Sequence, residues 1–216
     1  MGYGFTVQIW GERALFTRPE CKAERVSYSV ITPAAARGVI ESIFWHPGQK
    51  YIIDRITVLS PIRFDSVRRN EVGSVAKLGS IRKARNTGEN YYINPVEDRQ
   101  QRAAVILRDV NYLVDGHFEI NSQTMGERDT PEAFYNILLR RLRKGQHFQQ
   151  PCLGCREFPA NVKLVEGERP RSVYSELEEM DLGFMLYDMD YQADKVVPHF
   201  FHALMRNGEI VTEVEQ

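Results

Sequence analysis

The stretch "ITPAAARGVIESIFWHPGQK", Ile31 to Lys50, fixes the first packing unit of the chain. Thr32 is an N-cap residue, and Pro33 stands at the first helical position, where a missing N–H costs nothing. Val39, Ile40, Ile43 and Phe44 recur at spacings of three and four, so they form one apolar stripe of a helix. Pro47-Gly48 stops it, and the pattern carries the helix through Trp45. Phe44 lies on the stripe and is expected in the core. Trp45 and His46 lie off it, and His46 near a helix C-terminus sits where the dipole favours its charged form.

Working outward, "YGFTVQIWG" alternates as a strand with Phe5, Val7 and Ile9 on one face. "ERVSYSVITP" reads as a loop or short strand. After the helix, "YIIDRITVLSPIRFDSV" reads as a strand interrupted at Ser60-Pro61, with no clean apolar face. Residues 69–94 lose periodicity and read as a long loop, of the kind that is usually functional or disordered. "RAAVILRDVNYLVDGHFEIN" is β-prone, as one long bent strand or two. A second Thr-Pro start, Thr130-Pro131, opens a helix that runs to Gly145. "CREFPANVKLV" reads as the strand after it, and Asn207-Gly208 between apolar runs signals a hairpin. The order β-α-β-β-α-β makes the chain α+β, and predicts a ferredoxin-like domain over 1–165 with a basic insertion at about 69–98. Residues 166–216 are expected as a small antiparallel β domain.

The composition is that of a globular chain with a core: 43% hydrophobic and 26% charged residues over 216 positions. With no run of 18 apolar residues, no membrane span is expected. The opening "MGYGFTVQIW" does not read as a secretion signal. Three cysteines without such a signal point to reduced thiols and a cytoplasmic location. Cys152-x-x-Cys155 precedes a strand rather than opening a helix, so it reads as structural. No metal site, cofactor loop, Walker loop or nucleophile elbow is evident.

Net charge is −1, yet its distribution is uneven. Pro61 to Arg108 holds ten Lys/Arg against five Asp/Glu, whereas Val173 to Gln216 holds two against ten. Such polarity suggests an anionic partner on one side and a separate face on the other. Arg68, Arg69, Arg82, Lys83 and Arg85 flank a loop with Tyr91 and Tyr92. Interleaved cations and aromatic rings suit RNA, whose phosphates take the charge and whose unstacked bases take the rings. The same residues also suit a solvated loop. Among the histidines, His117 reads as a residue satisfied within a sheet and His147 as a loop residue after the second helix.

The stretches "IWGERALFTRPE", "ERVSYSVITPAAARGVIESIFW", "DRITVLSPIRFDSVRRNE", "EDRQQRAAVILRDVNYL" and "LRKGQHFQQPCLGCREFPA" together resemble CRISPR-associated protein family five, in its subtype I-C form. The resemblance spans nearly the whole chain. It implies a protein of the RAMP superfamily that cuts precursor CRISPR RNA at the repeat hairpin without metal and stays in the Cascade complex with its other subunits. The family pattern places a Tyr or another polar ring before the helix-end Trp, and a Gly-Lys-His at the opening of the second helix. Here Phe44 precedes Trp45, and Ala133 and Phe134 stand where Lys and His would. Catalytic roles therefore fall to chemically suitable neighbours: His46, Tyr135 and His147. Arg141 and Lys144 are nominated for phosphate, and Trp45 for a base. Two other readings stay open, a non-catalytic scaffold gripping the 5′ handle of the mature RNA and a double-stranded DNA binder.

Overall fold

The computed structural model describes residues 3–21, 23–127, 129–191 and 196–212. Both Thr-Pro starts open helices. Thr32 Oγ1 accepts from Ala35 N–H (3.1 Å) at the head of α1, Pro33–Ile43. Thr130 Oγ1 accepts from Ala133 N–H (3.1 Å) at the head of α3, Pro131–Lys144, which Gly145 ends in the left-handed region at φ 62°. α1 buries Val39, Ile40 and Ile43, and α3 buries Phe134, Leu138 and Leu142. α1 stops at Ile43, two residues before the pattern predicts. Its last carbonyls find outside donors: Arg141 Nη1 donates to Ile43 O (2.6 Å) and Tyr51 Oη to Phe44 O (3.0 Å). Ser42 O, which His46 N–H would have claimed in a longer helix, accepts instead from Phe148 and Gln149 N–H (3.0 Å each).

The strands are β1 (Phe5–Ala14), β2 (Arg25–Val26), β3 (Gln49–Val58), β4 (Phe64–Val72), β5 (Arg99–Ile120), β6 (Asn161–Leu164), β7 (Met180–Asp190), β8 (Val197–Arg206) and β9 (Glu209–Val211). With α2 (Leu78–Thr87) there are three helices among the described residues. The result is a mixed α/β protein with one large, mainly antiparallel sheet ordered β6-β1-β5-β3-β9-β8-β7, with β2 and β4 paired to β5. β7, β8 and β9 extend the same sheet, because β9 pairs with β3. No helix among the described residues is long and apolar enough to cross a membrane.

β5 is one strand of 22 residues. Along one edge it pairs with β4 and then β3; along the other, with β2 and then β1. It bends at Asp109, where φ is 53°. That bend faces Ser60-Pro61, the gap between β3 and β4. The ladder resumes on either side of it, through Leu59 N–H to Asn111 O (2.9 Å) and Arg108 N–H to Arg63 O (3.0 Å). The mixed faces of β3 also resolve. A register shift between Ile53 and Arg55 leaves Asp54 as an extra residue, so Tyr51, Ile53, Ile56 and Val58 all reach the core. The segment after α3 forms less strand than expected. Cys152–Phe158 is a tight turn, with Gly154 at φ 86° and Leu153 N–H donating to Phe158 O (2.8 Å), and only Asn161–Leu164 joins the sheet.

The Asn207-Gly208 hairpin forms as its sequence predicts, with φ values of 51° and 81°. A Cβ on Gly208 would collide with Ser172, whose hydroxyl donates to Val58 O (2.5 Å). Gly208→Ala is therefore expected to lower unfolding free energy by about 2–4 kcal/mol, the sum of left-handed strain and a disrupted buried hydrogen bond. Urea denaturation with an unchanged midpoint would contradict this account of the turn.

Candidate functional site

The helix-end cluster divides. Phe44 is buried and lies 6.1 Å, centroid to centroid, from Phe134. His46 falls beyond the shortened helix, so the turn rather than the helix end fixes it. Its Nδ1 accepts from Gly48 N–H (3.0 Å), its Nε2 lies 3.4 Å from Asp129 Oδ2, and its ring packs on Phe134 at 4.6 Å. Both ring nitrogens thus tie the α1–β3 turn to the segment leading into α3. Trp45 points outward at 58% exposure, and Phe148 stands beside it at 84%. They line a groove of about 500 Å³ with Arg141. Phe148 and Gln149 are held there by N–H bonds to Ser42 O (3.0 Å each). Arg141 caps Ile43 and covers the Phe44 ring at 5.2 Å, whereas Lys144 is exposed in the last turn of α3.

The basic insertion is more ordered than a loop. β4 and β5 form a hairpin arm, and α2 sits at its tip. Asp98 closes the arm, accepting from Ser74 N–H (2.8 Å) and Ser74 Oγ (2.9 Å). Its sequence shows only Leu78 and Ile81 one turn apart, among basic and small polar residues, and both side chains stay exposed. Arg82, Lys83 and Arg85 project from it into solvent. Arg68 is exposed on the outer face of β4, while Arg69, on the inner face, pairs with Glu157 and covers the Phe158 ring at 5.4 Å. Arg69 holds the arm to the body.

A third arrangement lies on the face of the sheet away from Phe5, Val7 and Ile9. Asp115, on β5, takes hydrogen bonds from Thr6 Oγ1 (2.7 Å), Arg55 Nε (3.0 Å) and both terminal nitrogens of Arg169 (2.8 and 2.5 Å). Arg169 belongs to the 166–171 segment, which Asp115 thereby straps across the sheet. Burial alone would raise the Asp115 carboxyl; the bonds from Arg169, Thr6 and Arg55 outweigh it and hold the group below the usual carboxylate range. Ile52 pairs with His117, so Asp54, two residues on, stands on the same face as His117, whose Nδ1 lies 2.9 and 3.0 Å from the two carboxylate oxygens. A carboxylate there holds the proton on Nδ1 and leaves Nε2 as an acceptor. The His117 side chain is 36% exposed.

A cavity of about 680 Å³ adjoins this dyad, walled by Asp54, Gly116, Arg55, Tyr135 and Arg143. Tyr135 Oη donates to Gly4 O (3.0 Å), and Arg143 forks onto Glu166 (2.6 and 3.2 Å). Of the three sequence-nominated acid–base groups, the fold brings Tyr135 to this cavity. His46 is engaged in its turn, and His147 lines a different cleft past the far end of α3. His117 carries no sequence motif. It enters the site because the neighbouring strand places Asp54 on the same face of the sheet.

Residues 4–212 match the family model described as CRISPR-associated protein (Cas_Cas5). A protein of Mannheimia succiniciproducens named CRISPR pre-crRNA endoribonuclease Cas5d is 46% identical over 211 residues, covering 94% of this chain and 92% of that one. A Thermus thermophilus protein of the same name is 36% identical over 228 residues, covering 97% and 91%. A solved structure titled as a CRISPR-associated protein superposes with a TM-score of 0.70 at 26% identity, covering 98% of this chain and 92% of that one.

The Asp115 node has a pH signature. A carboxyl whose folded pKa is depressed contributes stability above its unfolded value, about 3.9, and that contribution is lost as pH falls through the folded value. Asp115→Asn is expected to cost about 1–3 kcal/mol at neutral pH, with the gap to the parent protein closing below about pH 4. Urea titrations at neutral pH and near pH 3 check this; a gap that is constant with pH would contradict it.

Proposed function

The chain belongs to the CRISPR-associated Cas5 family, and from that membership we propose that it binds the repeat hairpin of precursor CRISPR RNA and cuts it by metal-independent attack of the 2′-OH beside the scissile phosphate. Two curated relatives that share 46% and 36% of its residues carry the name pre-crRNA endoribonuclease. The observation that carries the assignment to this chain is the His117–Asp54 dyad, whose Asp54 lines a cavity together with the Tyr135 phenol and the Arg55 and Arg143 guanidinium groups.

The chemistry needs a base, an acid and a cation. His117 Nε2 accepts the 2′-OH proton while Asp54 stabilises the resulting imidazolium. The 2′-oxygen then bonds to phosphorus, the bond to the 5′-oxygen breaks, and Tyr135 Oη protonates that leaving oxygen. The products are a 2′,3′-cyclic phosphate and a 5′-hydroxyl. Arg143 steadies the charged phosphorane. Its pairing with Glu166 is solvent-exposed, and such pairs exchange readily for a phosphate. Arg55 and Arg169, held by the more buried Asp115, keep the cavity wall in place. Arg68, Arg82, Lys83 and Arg85 on the insertion take the phosphates of the hairpin, with Lys144 on the α3 side.

The finer architecture fits this role. The order β6-β1-β5-β3, with α1 and α3 in the two crossovers, supports a ferredoxin-like arrangement of the core strands. We place the protein in the cytoplasm, where it remains with the mature RNA and other Cascade subunits.

Purified protein incubated with its own repeat RNA in EDTA is expected to cut at one site, and a single 2′-deoxy substitution there abolishes cutting. His117→Ala lowers the single-turnover rate by roughly 10²–10⁴-fold, with affinity nearly unchanged. Tight binding without cutting supports the scaffold reading instead, and equal affinity for double-stranded DNA would overturn the RNA assignment. Replacing Arg82, Lys83 and Arg85 together by Ala is expected to weaken binding and flatten the slope of log affinity against log salt by about 2–3, close to one unit per lost phosphate contact. An unchanged slope would remove α2 from the interface.

A further inference from the structure

Past the C-terminal end of α3, the left-handed turn at Gly145 sends the chain back across the β1–β6 edge. Gly145 and Gln146 N–H groups donate to Leu142 O (3.3 Å) and Arg141 O (2.9 Å), and Ala160 N–H to Pro151 O (2.9 Å). These bonds fix a cleft of about 310 Å³, at the small end of the ligand-site range of roughly 300–1,000 Å³. Trp10, Ile43 and Leu142 line it together with Gln146, His147, Gln150 and Asn161. Trp10 pairs with Asn161 across β1 and β6, so the indole and that amide share one face of the edge.

The lining selects against a phosphate. Its one cation, Arg141, already donates to Ile43 O (2.6 Å) and covers the Phe44 ring. What remains is an indole beside side-chain amides. Each amide offers a donor and an acceptor together, as the Watson–Crick edge of a base requires, and an indole face offers stacking. Arg141 also walls the adjoining groove that holds the exposed rings of Trp45 and Phe148. Two successive unpaired nucleotides can therefore occupy neighbouring compartments, one stacked on the rings and one inserted in the cleft.

We propose that the cleft between the C-terminal end of α3 and the β1–β6 edge receives a single nucleobase turned out of the bound RNA, stacked on Trp10 and read by Gln146, Gln150 and Asn161. This rests on the RNA-binding reading above and adds to it a determinant of sequence choice, remote from the dyad. His147 then belongs to base recognition rather than to bond cleavage.

The test is an abasic scan of the repeat RNA against the full-length protein and the variants Gln146→Ala and Asn161→Ala, both altered at exposed positions and checked by thermal melting. One abasic position is expected to weaken binding to the parent protein about tenfold, the scale of one stacked base, and to have little further effect on the variants. An abasic penalty that is the same in parent and variants at every position overturns the cleft while leaving RNA binding intact. Absence of any repeat binding overturns both. The four nucleoside monophosphates, offered alone, separate the sources of the base: saturable binding of one of them, with no abasic-sensitive position, would mean a free-nucleotide site and also overturn the proposal.

Discussion

Twenty-two residues of continuous extended backbone in β5 must satisfy their N–H and C=O groups on two edges, and the rest of the molecule is organised around that requirement. No single partner strand is long enough. β3 and β4 share one edge and β1 and β2 the other, so the sheet body and the insertion arm have a common spine. The arm cannot pivot freely, because the strand that carries it also runs through the core beneath α1 and α3. The bend at Asp109 is where the spine passes from body to arm, and Ser60-Pro61, with no proline N–H to leave orphaned, bridges the same point on the opposing edge.

Strand alternation and its one departure then place the chemistry. The extra residue in β3 keeps Ile53 and Ile56 both in the core, while Asp54, two positions from the Ile52 that pairs with His117, meets that imidazole on the opposite face. Two positions on, Asp115 gathers Thr6, Arg55 and Arg169, so one carboxylate connects β1, β3, β5 and the 166–171 strap. The strap leads to Ser172 and the β8–β9 turn, which places the acidic strands on the far end of the same sheet from β6.

Much of this was legible in the chain. Both packed helices announced themselves through Thr-Pro starts, and the tail hairpin through Asn207-Gly208, because caps and left-handed turns are local chemistry. What depended on distant partners was not. α1 ends early because Phe148 and Gln149 N–H groups take Ser42 O, the carbonyl a longer helix would have used. α2 offers only Leu78 and Ile81 one turn apart, and neither finds a core to enter. Arg69 looked interchangeable with Arg68 until strand parity turned one to Glu157 and the other to solvent. His117 reads in sequence as one more alternating strand residue, and only the register of β3 against β5 makes it half of an acid–base pair.

In the proposed reaction the scissile phosphate lies beside Asp54 on β3, His117 on β5 and Tyr135 on α3. Photo-crosslinking of repeat RNA carrying thiouridine on either side of the cut site, followed by mass spectrometry of the attached peptides, tests that placement most directly. Attachment to β3, to the second half of β5 and to α3 is the predicted result. Attachment confined to β7 and β8 would contradict it.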